Sequence, residues 1–98
     1  MTWRPATVEE ITKIVLHDLA LCHETQIAAF KKYSIEPYPI SIYRFNNWEP
    51  VVVVARNGRE VMYWEDVEEG FNISQLADDD TIRDYSCEQN DLRRALNA

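Results

Sequence analysis

Cys22 and His23 are adjacent in the chain and carry side chains suited to nucleophilic catalysis. A reactive thiol needs direct contact with its base. Neighbouring residues on a helix point about 100° apart, so this pair cannot easily make that contact. Cys22 also falls on an apolar stripe, where a buried and inert thiol is expected. Cys87 fits neither a CxxC nor a zinc spacing, so we predict free thiols without a catalytic role.

His17 and Asp18 form a dipeptide that could begin a metal site. Such a site needs further histidine or carboxylate ligands held at one point. His23 is the other histidine of the chain, and its six-residue offset turns it to another side of a helix. The dipeptide therefore predicts an exposed polar turn and no metal ion.

Acidic runs in the second half of the chain have residue types that occur in calcium and catalytic sites. Glu65-Asp66 and Glu68-Glu69 pair carboxylates, but no positioned histidine, Gly-rich loop or nucleophile accompanies them. The aspartates from position 78 onward suggest a calcium loop, yet the other EF-hand positions carry the wrong residues. Those residues are Ile82 at the fifth position, Arg83 at the glycine and Gln89 at the final glutamate. We expect no enzymatic activity, no cofactor and no metal.

The acidic residues are concentrated in one stretch of the sequence. The chain has 17 acids and 10 bases, a formal net charge of -7. Ten of the acids lie between Glu65 and Asp91, where Arg83 is the only base. An acidic chain is a poor partner for nucleic acid, whose phosphates bind clustered Lys and Arg. Each acidic run taken singly is best explained as a solvated loop, but their clustering beside aromatic residues favours docking of a basic protein.

In that hypothesis, aromatic side chains supply desolvated anchors and the acids steer the encounter. The candidate partner-binding residues are Glu65, Asp66, Glu68, Glu69, Asp78, Asp79, Asp80, Tyr43, Phe45 and Trp64.

The first element that must support these residues is a predicted helix from about Thr7 to Tyr33. Thr7 with Glu10 three residues later is a capping-box signature, and apolar residues recur at helical spacing through the segment. Pro37 and Pro39 cannot continue a helix, so residues 34–39 are predicted to be a connector.

Three strands of an antiparallel meander follow, over residues 40–45, 50–56 and 59–65. Asn57-Gly58 predicts a type I′ turn between the last two. The first two are predicted to be joined by a three-residue loop over 46–48. The turn predicts four cross-strand pairs, which are Arg56 with Arg59, Val54 with Val61, Val52 with Tyr63 and Pro50 with Glu65.

This register predicts one aliphatic and one aromatic face of the sheet. The aliphatic face would hold Ile40, Ile42, Val52, Val54, Val61 and Tyr63. The aromatic face would hold Tyr43, Phe45, Val51, Val53, Met62 and Trp64. We assign the long helix to the aliphatic face because branched side chains interdigitate readily with a helix.

The remaining chain should cover the aromatic face. It is predicted to contain a loop over 66–80, a short strand over 81–87 and a final helix over 91–96 with Asn90 as its N-cap. Either Phe71, Ile73 and Leu76 close over this face as a second core, which is the favoured reading, or part of the face is exposed and used in an interface.

The sequence thus predicts a single α+β domain over residues 1–98, with a long N-terminal helix on a three- or four-stranded, mostly antiparallel sheet and a short C-terminal helix. No apolar run is long enough to cross a bilayer and no secretion signal is apparent, so a cytoplasmic protein is expected. The leading hypothesis is a small acidic binding protein that blocks a basic, nuclease-like partner, as some bacterial inhibitor and immunity proteins do. The alternatives are a ligand-binding or enzyme accessory domain with a pocket between helix and sheet, and a module that self-associates through the aromatic face.

Overall fold

The computed structural model describes residues 6–84 and 89–96. Over these residues the chain is an α+β protein with two helices, a four-stranded antiparallel sheet and a short third helix, as the sequence predicts. The sheet order follows the chain order, β1-β2-β3-β4. The elements are α1 (Val8–Leu19), α2 (Glu24–Tyr33), β1 (Ser34–Arg44), β2 (Asn47–Asn57), β3 (Glu60–Glu65), β4 (Gly70–Gln75) and α3 (Leu92–Leu96).

The predicted single helix over 7–33 is wrong, because the chain forms two helices with a break at residues 20–23. The first helix begins as predicted, with the Thr7 hydroxyl accepting from the Glu10 amide and the Glu10 carboxylate accepting from the Thr7 amide. At the break, the side chain of Gln26 accepts from the His23 amide at 2.8 Å and starts α2. The buried positions Val15 and Gln26 lie eleven residues apart, about three helical turns. The apolar period therefore runs through the break and cannot reveal it.

The predicted connector over 34–39 is also wrong, because β1 begins at Ser34 directly after α2. Proline is tolerated on an edge strand, where a missing amide hydrogen costs no ladder bond. Pro39 stands opposite Val52, and β1 is an end strand in the sheet order. Pro37 and Pro39 therefore end the helix without interrupting the strand.

The β1–β2 connection is a tight two-residue turn and not the predicted three-residue loop. Arg44 pairs with Asn47, which leaves Phe45 and Asn46 at the tip. Both have positive φ, 52° and 58°. Positive φ at both central residues is the signature of a type I′ turn, which matches the twist of a hairpin.

The β2–β3 register differs from the predicted one. Asn57 pairs with Glu60, so the turn consists of Gly58 and Arg59, and Gly58 has a φ of 64°. Glycine with positive φ at the first central position is typical of a type II′ turn. A bulge between Val53 and Ala55 then brings Val53 opposite Tyr63. Beyond the bulge the strands are one residue out of the predicted register, and such a slip exchanges the faces of a strand.

The two predicted faces are therefore mixed in the structure. A cluster on the helix side joins Val52 and Val54 with Met62 and Phe71, while Trp64 packs against it. The opposite side of the sheet holds a second cluster, which we call the outer cluster. Its buried members are Ile42, Val51, Val53, Val61, Tyr63, Leu76 and Ile82.

All the helices of the described chain cover the same side of the sheet. The helix-side cluster receives Ile11 from α1, Phe30 from α2 and Leu92 from α3. The prediction that the final helix lies over the opposite face is therefore wrong. Its predicted N-cap is shifted by one residue, because Asp91 and not Asn90 accepts from the Arg94 amide, at 2.9 Å.

The outer cluster is covered by the segment that follows β4. The predicted loop over 66–80 contains β4, in which apolar Phe71 and Ile73 alternate with polar residues. After β4 the chain crosses to the β1 edge of the sheet. Leu76 and Ile82 of this segment are buried in the outer cluster. Of the strand predicted over 81–87, Ile82 forms one parallel bridge to Ile42, and residues 85–88 lie outside the described ranges. In the described ranges, no helix has both the length and the apolar character needed to span a membrane.

Candidate functional site: an aromatic hairpin bordered by acids

Three large aromatic side chains are exposed on the β1–β2 hairpin. Phe45 is 63% exposed, Trp48 45% and Tyr43 40%. Tyr43 and Trp48 are cross-strand partners whose ring centroids lie 5.2 Å apart. We call these three residues the aromatic hairpin. The sequence predicts Tyr43 and Phe45 as candidate anchors, and it places Trp48 in the predicted loop over 46–48.

Phe45 is held in an unfavourable backbone conformation. Its φ of 52° lies in the left-handed region, where a bulky side chain costs roughly 1–2 kcal/mol. Asparagine and glycine occupy such turn positions with less strain. The ring is mainly exposed, and the Arg44 guanidinium lies 6.0 Å from its centroid.

A buried arginine lies directly beside this turn. The Arg44 side chain is inaccessible to solvent and forms ion pairs with Glu65, with Asp66 at 2.8 Å and with Glu49 at 3.4 Å. Burial lowers the pKa of Arg44, but the hydrogen bond to Asp66 and the charge of Glu65 outweigh it, so the net pKa is raised. The guanidinium therefore stays charged and fixes the base of the hairpin to the β3–β4 turn.

Glu65 and Asp66, two of the predicted docking acids, are turned inward. The Glu65 side chain is 1% exposed and also accepts from the Val67 amide at 2.7 Å. The Asp66 side chain is 6% exposed and accepts from the Ala6 amide at 3.1 Å. Their charges neutralise Arg44 and tie the hairpin to the N-terminal segment, so neither carboxylate is placed to meet a partner in this conformation.

The other acids of the predicted set remain accessible. Glu69 is exposed and Glu68 is half-buried, and both lie in the turn at the same end of the sheet as Phe45. Asp78, Asp79 and Asp80 are exposed in the segment after β4.

Two of these aspartates have intramolecular partners. Asp80 pairs with Arg59 at 2.8 Å. Asp79 pairs with Arg83 at 2.7 Å, and the Arg83 guanidinium lies 5.1 Å from the Trp48 centroid. The second acidic group is thus connected to the aromatic hairpin through Arg83.

Trp64, the third predicted aromatic anchor, lies away from the hairpin. It is half-buried on the helix side, with its ring edge-on to Phe71 at a centroid distance of 5.0 Å. The structure does not bring Trp64 together with Tyr43 and Phe45.

The Cys22 thiol donates a hydrogen bond to the Asp18 carbonyl, with 3.4 Å between sulfur and oxygen. Cys22 is half-buried in the break between α1 and α2, and burial, with smaller contributions from Asp18 and Asp91, raises the pKa of its thiol. Asp18 bonds His17 through one oxygen and accepts from the Leu92 amide through the other, so it connects α1 to α3. Across residues 6–84 and 89–96, no three His, Cys, Asp or Glu side chains form a group able to hold a metal ion.

A cavity of about 200 Å³ lies between α2, α3 and the sheet. Its walls are mainly apolar, with Arg56 and Glu60 contributing charge. Arg56 is already engaged, since it donates to the Gly58 carbonyl and to the Tyr38 hydroxyl. The volume is below the range of about 300–1,000 Å³ usual for small-molecule sites.

Arg44 is the residue that the sequence reasoning missed. A signal was present, because Arg44 shares strand parity with the apolar Ile42 and Ile40. A charged residue that continues the buried, apolar face of a strand is expected to be paired with an opposite charge. Nearby acids in the sequence would have been its natural partners.

Comparison with protein-family models, with curated proteins and with solved structures finds no match to this chain.

Proposed function

We propose that this chain is a non-enzymatic binding protein, of the inhibitor or immunity type, that docks a basic, nuclease-like protein through the aromatic hairpin. The observation that carries the proposal is Phe45, exposed at the tip of a tight turn with positive φ. A large aromatic side chain that combines this exposure with a strained turn conformation is the kind of anchor that a protein partner contacts. Backbone strain of this kind is concentrated at binding and switching sites.

The physical properties of the hairpin fit an interface centre. Large aromatic side chains provide most of the binding energy in many complexes because they lose water on contact. The two-residue turn and the buried Arg44 network hold Phe45 in place before binding. A pre-ordered anchor loses little conformational entropy on association.

Charge supports a basic partner. The formal net charge is -7, Glu68 and Glu69 lie at the same end of the sheet as Phe45, and Asp79 of the exposed Asp78–Asp80 run is connected to Trp48 through Arg83. Arg44 does not offset them because Glu65 and Asp66 already neutralise it. A basic surface would be steered toward this side of the molecule.

The test begins with affinity capture from the native host and continues with binding kinetics on the purified partner. Phe45→Ala should raise the dissociation rate by about tenfold or more. Leu16→Ala is the matched control, since Leu16 is 65% exposed on α1, and it should bind as wild type. An equal increase in the dissociation rate for the Phe45→Ala and Leu16→Ala variants would overturn the proposal. The proposal would also be overturned if the hairpin binds a second copy of this chain instead of a different protein.

A ligand-binding role has one supporting observation, the cavity between the helices and the sheet. Ala29→Leu places a larger side chain in its lining. If the cavity binds a ligand, this variant should lose ligand binding while partner binding is retained. If the cavity is a packing void, the variant changes stability alone.

A further inference from the structure

Trp48, Asp79 and Arg83 form a local arrangement that the aromatic hairpin alone does not explain. The Arg83 guanidinium carbon lies 5.1 Å from the Trp48 ring centroid, and Nη2 lies 2.7 Å from Oδ2 of Asp79. One guanidinium is thus held by an aromatic ring and by a carboxylate at the same time.

The ring and the carboxylate are both held in place by other contacts. Trp48 lies on β2 against the ring of Tyr43. Asp79 accepts a hydrogen bond from the Thr81 hydroxyl at 2.5 Å. The hydrogen bond from Arg83, followed by that from Thr81, lowers the pKa of Asp79 to about 2, so the carboxylate is charged at neutral pH. The chain at Arg83 is positioned by the preceding residue, because Ile82 bonds the outer edge of β1 through its amide and its carbonyl.

Arg83 itself is held weakly. Its side chain is 57% exposed and that of Asp79 is 50% exposed. Exposed ion pairs and exposed cation–π contacts contribute little to stability, so exchange with another cation is accessible. Once a partner is bound at the hairpin, a cation on its surface competes at a high effective concentration.

We infer that Trp48 and Asp79 form a guanidinium site for an arginine of the docked partner, and that Arg83 occupies this site in the free protein. The inference depends on the proposed function, because the partner's arginine is delivered by docking at Phe45. A flat guanidinium can stack on an indole while bonding a carboxylate in its own plane, whereas a lysine ammonium is a hydrated point charge. The site is therefore expected to select arginine over lysine.

The experiment uses a probe and needs no partner. N-acetyl-arginine-N-methylamide and its lysine analogue are titrated into the protein while the Trp48 indole resonance, assigned with Trp48→Phe, is followed by NMR. Arg83→Gln empties the site, and Arg83→Lys retains charge without the flat group. Arg59→Gln is the matched control. It removes an arginine that pairs with Asp80, the residue next to Asp79, and it leaves Trp48 and Asp79 unchanged.

The Arg83→Gln protein should bind the arginine probe about three- to tenfold more tightly than wild type, with the lysine probe weaker. The affinity of Arg83→Lys for the arginine probe should fall between those of wild type and Arg83→Gln. The affinity of Arg59→Gln should equal that of wild type. Equal arginine affinity in Arg83→Gln and wild type, or equal binding of the two probes, would overturn the inference. That failure would leave the proposed function standing if partner binding still depends on Phe45, whereas loss of the Phe45 dependence would remove the proposed function without altering the probe result.

Discussion

At position 44 an arginine occupies a strand site on the same side of β1 as the buried Ile42. Its guanidinium is surrounded by three carboxylates, and its Nε has no hydrogen-bond partner among the described residues. A buried ion pair is expensive to desolvate, and removing one partner leaves an uncompensated charge. The network therefore fixes the geometry of the hairpin more than it adds stability.

This network gives a prediction at the scale of single residues. Arg44→Met should destabilise the protein by about 3–5 kcal/mol, because Glu65 is left buried without its cation. Adding Glu65→Met should recover a large part of that loss. The measurement is a double-mutant cycle: the free energy of unfolding in denaturant is determined for wild type, for Arg44→Met, for Glu65→Met and for the double variant. Additive losses in the double variant would show that the pair does not interact as described.

The elements were predictable where a local signal was strong. The Thr7 capping box places the start of α1 correctly, and period-two alternation places the first three strands approximately. The break at residues 20–23 was not predictable from period, since the buried positions stay in phase across it. The strand β4 was recognisable from its alternation but was obscured by the acidic runs on either side.

The sheet faces were not predictable, because they depend on one-residue details. Asn57-Gly58 correctly indicates a hairpin, but the turn residues are Gly58 and Arg59. The local sequence is compatible with a turn at residues 57–58 or at residues 58–59, and packing of the buried strands decides between the two. The bulge near Val54 has no sequence signal of its own. The predicted partner-binding residues do not form one surface: Tyr43 and Phe45 lie on the hairpin, Glu65 and Asp66 are turned inward to Arg44, and Trp64 lies on the helix side.

The β2–β3 turn gives a prediction at the scale of the element. Gly58 has a φ of 64°, and no atom lies within 4 Å of the position that a Cβ would take. A substitution there is therefore opposed by backbone conformation and not by a clash. Gly58→Val should lower the free energy of unfolding by about 1–2 kcal/mol or more. Gly58→Asn should lose less, because asparagine tolerates positive φ, and equal melting temperatures for the two variants would contradict the turn conformation.

At the scale of the whole molecule, negative charge is divided between internal and accessible acids. Glu65 and Asp66 are committed to Arg44, while Glu68, Glu69 and Asp78 are available at the surface. If the accessible acids steer a basic partner, their effect should appear in the association rate and depend on salt. The internal acids should affect folding instead.

Neutralising Glu68, Glu69 and Asp78 to Gln, Gln and Asn should slow association severalfold at low salt, by about a factor of ten at most, and the difference should shrink at physiological salt. The control is a protein with the same change in net charge at exposed positions in other parts of the fold. Glu9→Gln, Glu24→Gln and Glu36→Gln together provide it. Indistinguishable rates for the two triple variants would assign the acidic cluster to solubility alone.

In the proposed function Phe45 is the binding anchor at the hairpin tip, in a backbone conformation that is strained for a bulky residue. Phe45→Asn replaces a bulky residue at a φ of 52° with one that accepts this conformation. The decisive measurement is this variant's free energy of unfolding together with its dissociation constant for the captured partner. We predict that the free energy of unfolding changes by no more than about 1 kcal/mol, because relief of the turn strain offsets the contacts that the ring loses, while the dissociation constant increases about tenfold or more. A variant that binds the partner as tightly as wild type does would contradict the proposed role of Phe45.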